Sequence, residues 1–500
     1  MRLIAIASVI ALVISATNAA SLPPPQKNGF IRLPLQRVPT TGVTGVHRSA
    51  LLKRDKTTVP LLNEWGREYV IEVGIGTPPQ KFNVTLDTGS FDLWVPSSDC
   101  SSIICPYKRF DHAKSSTYKP TSQPFEITYG IGEATGTYAL DTITVGTLSQ
   151  ANQPIGLAKY TKDILGVSSD QQSNGILGLG FPVPGITMPN TTTFMFSLVE
   201  NNAITEPVFS IYLGSRYKFG YGGEMIIGGV DTTKFTGQLT YVPVVSYDLS
   251  GYAATANLNS RANAAGGIYA YWTAPGQGIS IVTQDGQTAG FNQQFTQLEP
   301  FILDTGTTLT YGPKTITDAI VKEFTKNSKT PTRFDPLNSA YAVGCDVAQQ
   351  TNKMEFTFST SSSQPSKTPV KITVTAKELV IPVDSDILAT AKQCYFGIAP
   401  MLAGTDVDWI IGESVLRSAY QVYDMKNHRV GIAPATGLDI VSDPSEARSS
   451  IPVDPARPTD HARPTPGVSV PASAAVFLSA SWSAATMVAV LVTSLVYNFQ

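Results

Sequence analysis

Two short segments of this 500-residue chain carry the same chemistry-bearing residues in the same order. Leu86-Asp87-Thr88-Gly89-Ser90 returns 217 positions later as Leu303-Asp304-Thr305-Gly306-Thr307. Two carboxyls brought face to face share one proton, because like charges a few ångströms apart do not both ionise cheaply. One member can then take a proton from water while the other gives one to a carbonyl oxygen, which hydrolyses an unactivated acyl bond without a metal or a covalent intermediate. The shared proton belongs to the pair, not to either residue. The neighbours suit that task. Gly89 and Gly306 let the backbone approach closely enough to give N–H bonds to the carboxylates. Thr88 and Thr305 are placed to bond across to the opposite loop, and Ser90 and Thr307 to bond the outer oxygen of their own acid.

Such a pair needs a frame that brings residues 217 positions apart together. Apolar residues precede each acid (Val84 and Leu86, Ile302 and Leu303) and read as strands in a dry core, which strengthens every polar contact there. Each motif is followed downstream by an apolar-apolar-Gly element, Ile176-Leu177-Gly178 and Ile410-Ile411-Gly412, whose glycines are expected directly behind the acidic loops, where a side chain would not fit. Two copies of one layout imply two lobes of similar architecture. Between about 66 and 438, short runs rich in Val, Ile, Thr, Tyr and Phe alternate with Gly, Pro and Asn turns. Tyr69-Val-Ile-Glu-Val-Gly-Ile, the turn Gly76-Thr-Pro-Pro-Gln80 and Lys81-Phe-Asn-Val-Thr-Leu86 read as a hairpin. Helices are expected only in short pieces, at 315–325 and 413–419. The expected fold is all-β and bilobal, with a central cleft, divided as 55–238 and 239–438.

Composition sets limits. A hydrophobic content of 42% against 15% charged residues suits a packed core and argues against a mostly disordered chain. Seven of the 36 cations and none of the 38 acids lie in residues 1–54, so the 29 remaining cations leave the rest of the chain at −9. A basic leader on an acidic body without basic runs argues against nucleic-acid binding. Cys100, Cys105, Cys345 and Cys394 permit three pairings, of which the sequential one closes local loops. There is no CxxC, and the histidines at 47, 112, 428 and 461 stand apart, so neither a zinc site nor any other cofactor is expected.

The ends read differently. Residues 1–20 have Arg2, an apolar run and a small-residue exit, the layout of a signal peptide. Residues 21–54 are Pro-rich and basic, and end in Lys53-Arg54, the form of a dibasic convertase site in a propeptide. Disulfides suit that route. Residues 439–475 form a Pro/Ser-rich linker. The apolar tail 476–500 fits either a GPI-anchor signal or a membrane span, and the lack of a cationic flank favours the first. Asn83-Val-Thr85 and Asn190-Thr-Thr192 are glycosylation sequons.

Taken together, these segments resemble the pepsin-like aspartic peptidases over about residues 66–436. Phe82-Asn-Val-Thr-Leu-Asp87-Thr-Gly-Ser-Phe-Asp-Leu-Trp94-Val-Pro and Phe301-Ile-Leu-Asp304-Thr-Gly-Thr-Thr-Leu resemble the two active-site segments of that family. Ile127-Thr-Tyr129-Gly130-Ile-Gly132 is similar to its flap, Cys100 to Cys105 to its small disulfide loop, and Phe30-Ile-Arg32-Leu-Pro-Leu-Gln-Arg37 to the start of its prosegment. The resemblance implies catalysis by Asp87 and Asp304, substrate contacts from Tyr129, Gly130, Gly132, Trp94 and Ile176, and a hydrogen bond between Tyr129 and the Trp94 indole. It implies a monomeric acid endopeptidase acting on polypeptides, latent while 21–54 are attached, with Arg32 or Arg37 near the acid pair. Phe91, Ile131 and Glu413 depart from the residues usual at their positions. The tethered, convertase-processed layout is similar to the fungal yapsin group. A catalytically silent relative acting as a binding or inhibitory protein is the rival reading; it would typically have lost an acid or a flanking glycine, and this chain keeps them all.

Overall fold

A computed structural model describes residues 31–37 and 69–438, apart from 130–131, 163, 166–172, 184–186, 218–220, 247–268, 337, 386 and 402–408. The signal peptide, Lys53-Arg54, the linker and the apolar tail expected above lie outside the described residues. Gly130 and Ile131 lie outside them as well.

The 69–86 hairpin forms as its alternation requires. Strand Tyr69–Ile75 pairs antiparallel with Gln80–Asp87, from Val70 opposite Thr85 to Ile75 opposite Gln80, and Gly76 takes φ 86° at the turn. From here the two halves repeat one topology. In the first, Gln80–Asp87 runs parallel to Ile176–Gly178, which is antiparallel to Leu93–Pro96, itself parallel to Leu148–Lys162. In the second, Thr288–Leu303 runs parallel to Trp409–Ile411, which is antiparallel to Thr310–Gly312, itself parallel to Ile398–Pro400. Each acid thus ends a strand whose neighbour is the apolar-apolar-Gly element. Burial on both faces explains why these short strands read as continuous apolar runs rather than alternating ones.

The sheets cross the expected lobe boundary. One 13-stranded sheet holds the first-half strands together with Thr240–Pro243, Ala419–Asp424 and Arg429–Pro434 from the second half. The joint is the antiparallel pair Val208–Leu213 and Ala419–Asp424, with Phe209 opposite Tyr423 and Tyr212 opposite Tyr420. Seven-stranded and four-stranded sheets complete the second half. Helix Lys314–Thr325 buries Thr317, Ile320, Val321 and Phe324, the one-sided spacing of a surface helix. Glu413–Leu416 is a single turn, and short helices at Phe194–Glu200 and Ala376–Leu379 were not anticipated.

Strand Ile31–Arg37 lies inside the large sheet, between Tyr221–Ile227 and Tyr69–Ile75. Leu33 and Leu35 point into the core, while Arg32 reaches Glu224 at 3.1 Å and also binds Asp231. The expectation that Arg32 lies near the acid pair is corrected by these contacts, because Glu224 and Asp231 engage its charge instead. The Arg37 side chain lies outside the described ones.

The sequential disulfides form, Cys100–Cys105 and Cys345–Cys394. Their sequence separations of 5 and 49 set what each contributes through unfolded-chain entropy. Replacing both members of the second by serine is expected to cost about 4 kcal/mol, and of the first about 2 kcal/mol. Urea unfolding midpoints of the two double variants test the order; equal losses would contradict it.

Candidate active site

Asp87 and Asp304 are buried and face each other across the two loops. Thr88 donates its hydroxyl to the Leu303 carbonyl at 2.7 Å, and Thr305 donates to the Leu86 carbonyl at 2.9 Å. The amide of each threonine donates to the hydroxyl oxygen of the other, at 3.0 and 3.2 Å. These four reciprocal bonds tie the strand ends together. Around each carboxylate the arrangement is again two-fold. Gly89 N–H donates to Asp87 Oδ1 at 2.9 Å and Gly306 N–H to Asp304 Oδ1 at 2.8 Å. Ser90 Oγ donates to Asp87 Oδ2 at 2.5 Å and Thr307 Oγ1 to Asp304 Oδ2 at 2.6 Å.

The glycines are required by space. A Cβ on Gly89 would stand 2.5 Å from the Asp304 carboxyl carbon, and one on Gly306 would stand 2.6 Å from that of Asp87. Behind the loops, a Cβ on Gly178 would stand 2.6 Å from the Asp92 amide nitrogen, and one on Gly412 would stand 2.5 Å from the Thr307 carbonyl. The apolar-apolar-Gly elements also buttress the loops by backbone bonds: Leu179 N–H to Asp87 O at 2.8 Å, and Glu413 N–H to Thr307 O at 2.8 Å.

The electrostatics follow from this geometry. Burial pushes the Asp304 carboxyl well above the usual carboxylate range, and the charge of Asp87 pushes it further. Burial also raises Asp87, against the bonds it accepts from Ser90, from the Asp304 carboxyl and from Gly89. A carboxyl pair in hydrogen-bond contact and out of water holds one proton between its members.

Trp94 Nε1 donates to the Tyr129 hydroxyl at 2.8 Å. Both residues are buried in a cluster with Phe125, Ala134, Tyr138 and Ala158, against which the half-buried Ile176 packs. Tyr129 N–H donates to Gly132 O at 2.7 Å, closing the hairpin tip. Burial and the Asp87 charge hold the Tyr129 phenol well above its ordinary range, so it stays neutral. Asn83 is half-buried opposite exposed Glu72, and Asn190 is exposed at φ 59°.

Three features were not anticipated. Asp92, two residues past Ser90, is buried beside Tyr138. Trp272 passes beneath the first loop, donating its indole N–H to Leu179 O at 2.9 Å, while its carbonyl accepts from Leu303 N–H at 3.0 Å. Arg417 is fully buried with Glu378 at 3.2 Å and Glu413 at 3.6 Å, and Ser215 caps Glu378 at 2.5 Å. A polar residue inside the apolar run Phe91–Trp94 was the one visible sign of Asp92. Among the described residues no group of His, Cys, Asp and Glu could hold a metal ion.

Comparison with known proteins accords with this site. The Eukaryotic aspartyl protease profile matches residues 68–435, and the chain belongs to that family. It is 34% identical to human gastricsin over 371 residues, covering 73% of this chain and 81% of that one. It is 30% identical to vacuolar protease A of Aspergillus fumigatus, covering 74% and 79%, and 30% identical to pepsin A of Suncus murinus, covering 75% and 82%. The protein is a pepsin-like aspartic endopeptidase, and polypeptides are its substrates.

Two predictions follow from the packing. Gly89→Ala and Gly306→Ala must each displace the opposing carboxyl, and each is expected to lower kcat/KM at least about a hundredfold. Initial rates on a peptide substrate, read beside thermal unfolding, test this; near-native rates in a folded variant would refute it. The second concerns pH. Burial raises the Asp92 carboxyl to about 7, against an unfolded value of roughly 3.9. The protonated form is favoured in the folded state, so its contribution is complete below roughly pH 4 and is lost as pH rises through 7, about 4 kcal/mol in all. Asp92→Asn is expected to flatten the fall in urea midpoint between acid and neutral pH, and an unchanged slope would contradict the assignment.

Proposed function

We propose that Asp87 and Asp304 are the catalytic pair of an acid endopeptidase made as a secreted zymogen and tethered at the cell surface. The observation that carries this reading is the contact between two buried carboxyls in a two-fold frame of threonine, glycine and hydroxyl groups. With one proton on the pair, the ionised member takes a proton from the attacking water and the protonated member gives one to the carbonyl oxygen, forming a gem-diol. Collapse of the diol returns a proton to the departing amine. Ser90 and Thr307 bond the outer oxygens, and the Gly89 and Gly306 amides fix the inner ones. Tyr129, held by Trp94, with Gly130 and Gly132, forms the flap that closes over an extended peptide and excludes bulk water, and Ile176 adds a substrate contact.

The surrounding segments give the rest of the reading. Residues 1–20 direct the chain into the secretory pathway, where the two disulfides form and Asn83 and Asn190 lie in glycosylation sequons. Lys53-Arg54 falls between strand Ile31–Arg37 and strand Tyr69–Ile75, so cleavage there by a dibasic convertase separates a leader from the two lobes, 55–238 and 239–438. The linker 439–475 and apolar tail 476–500 tether the enzyme to the membrane through a GPI anchor, as in the yapsin group, and the enzyme acts as a monomer.

The test is the pH–rate profile of the matured protein on a denatured protein substrate, beside Asp87→Asn and with pepstatin. An acid optimum, loss of at least about a thousandfold in the variant and block by pepstatin are expected. An optimum above neutrality, or full activity in Asp87→Asn, refutes the pair.

A further inference from the structure

The acid pair is nearly two-fold symmetric, yet the floor beneath it is not. Phe209 and Tyr423 stand opposite each other in the strand pair that joins the halves, with rings stacked 4.7 Å apart at 13°. Both are fully buried. Trp272 packs edge-on against both, at 5.6 and 5.0 Å, and its backbone holds Leu303, the residue whose carbonyl accepts the Thr88 hydroxyl. The two rings are therefore matched in position, but only Tyr423 carries a hydroxyl. That hydroxyl faces Thr88 at the edge of hydrogen-bond reach, and Asp304 lies within its electrostatic reach.

Resting on the Asp87/Asp304 reading above, we propose that the Tyr423 hydroxyl is a positioning group that breaks the two-fold symmetry of the acid pair from beneath. Thr88 Oγ1 spends its proton on Leu303 and one lone pair on the Thr305 amide, which leaves one lone pair for a donor. Thr305 Oγ1 is bonded in the same way, and Phe209, the residue paired with Tyr423, has no hydroxyl to offer it. A phenol donating toward Thr88 turns the positive end of its dipole to the pair. In this dry setting that favours the ionised pair and distinguishes Asp304 from Asp87. Burial raises the Tyr423 phenol far above the acid range, so it remains a neutral donor wherever the enzyme works.

Other charges around this floor are accounted for. Asp424 is paired with Arg429 on the neighbouring strand, and Glu413 and Arg417 pair with each other from the adjoining helical turn. Strand Val208–Leu213 brings no charged side chain. His428 lies at the hairpin turn against Phe181 and Tyr269, and is unchanged in every variant below, so its titration cancels in the comparison.

The experiment measures kcat and kcat/KM against pH on one fluorogenic peptide, using the matured full chain. Without the hydroxyl the ionised pair is disfavoured, so Tyr423→Phe is expected to move both limbs of the profile to higher pH by about half a unit. Its kcat at the native optimum is expected to fall about three- to tenfold with KM unchanged. Phe209→Tyr adds a second hydroxyl to the ring stacked on Tyr423 and is expected to move the limbs to lower pH. It decides the matter alone if Tyr423→Phe does not fold. Unmoved limbs in a folded variant, or a change in KM alone, overturn the proposal. Asp87→Asn in the same assay separates the two readings, since activity there refutes the pair itself, whereas its inactivity beside an unmoved Tyr423→Phe profile refutes only the role of Tyr423.

Discussion

The rest of the structure depends on holding two carboxyls in contact where water cannot screen them. Left to themselves, Asp87 and Asp304 would repel or draw in solvent, and the desolvation that raises both would favour opening the cleft. The reciprocal threonine bonds oppose this by closing a ring between the two strand ends, with the amide and the hydroxyl proton of both Thr88 and Thr305 used across the boundary between the halves. A single proton shared by the pair removes the like-charge term. The geometry that costs stability at neutral pH is thus the one that stores a proton for chemistry in acid, and Asp92 next door responds to pH in the same direction.

Closeness of this order has consequences for the backbone. Each loop needs a glycine facing the opposite carboxyl and a second glycine strand directly behind, so the local layout, strand to Asp-Thr-Gly to strand to apolar-apolar-Gly, is imposed twice by the same steric demand. The joint between Val208–Leu213 and Ala419–Asp424 then fixes the halves to each other under the site. Arg417, Glu378 and Glu413 stiffen one side of that floor. Removing Arg417 would leave two buried carboxylates without their cation, a larger loss than the net value of the pairing.

The Tyr129–Trp94 contact was expected from the family resemblance, whereas the loops and their glycines were legible because each is a local demand written in residue types at fixed spacing. So were the 69–87 hairpin and helix Lys314–Thr325, whose periods are local. The place of strand Ile31–Arg37 was not, since its partners at 221–227 are about 190 positions away and pairing register leaves no local mark. The same holds for the sheet that joins the halves. Asp92, Arg417 and Glu378 read as ordinary charges, and nothing in their neighbours' types shows that the fold buries them. Arg32 or Arg37 was expected near the acid pair, but the sheet register places Arg32 beside Glu224 and Asp231.

That displacement bears on how the leader would be released. Strand Ile31–Arg37 is hydrogen-bonded along most of its length to Tyr221–Ile227, so cutting the chain at Lys53-Arg54 severs no ladder bond. Burial alone would raise the Asp231 carboxyl, but the bonds from Arg32 and Thr233 outweigh it and hold that carboxyl far below the usual range. A depressed carboxylate contributes its stabilisation above its unfolded value and loses it only as pH falls through the folded one. Mild acid therefore leaves the Arg32–Asp231 contact intact while it protonates ordinary carboxylates elsewhere. Acid that keeps a proton on the catalytic pair therefore leaves this anchor in place.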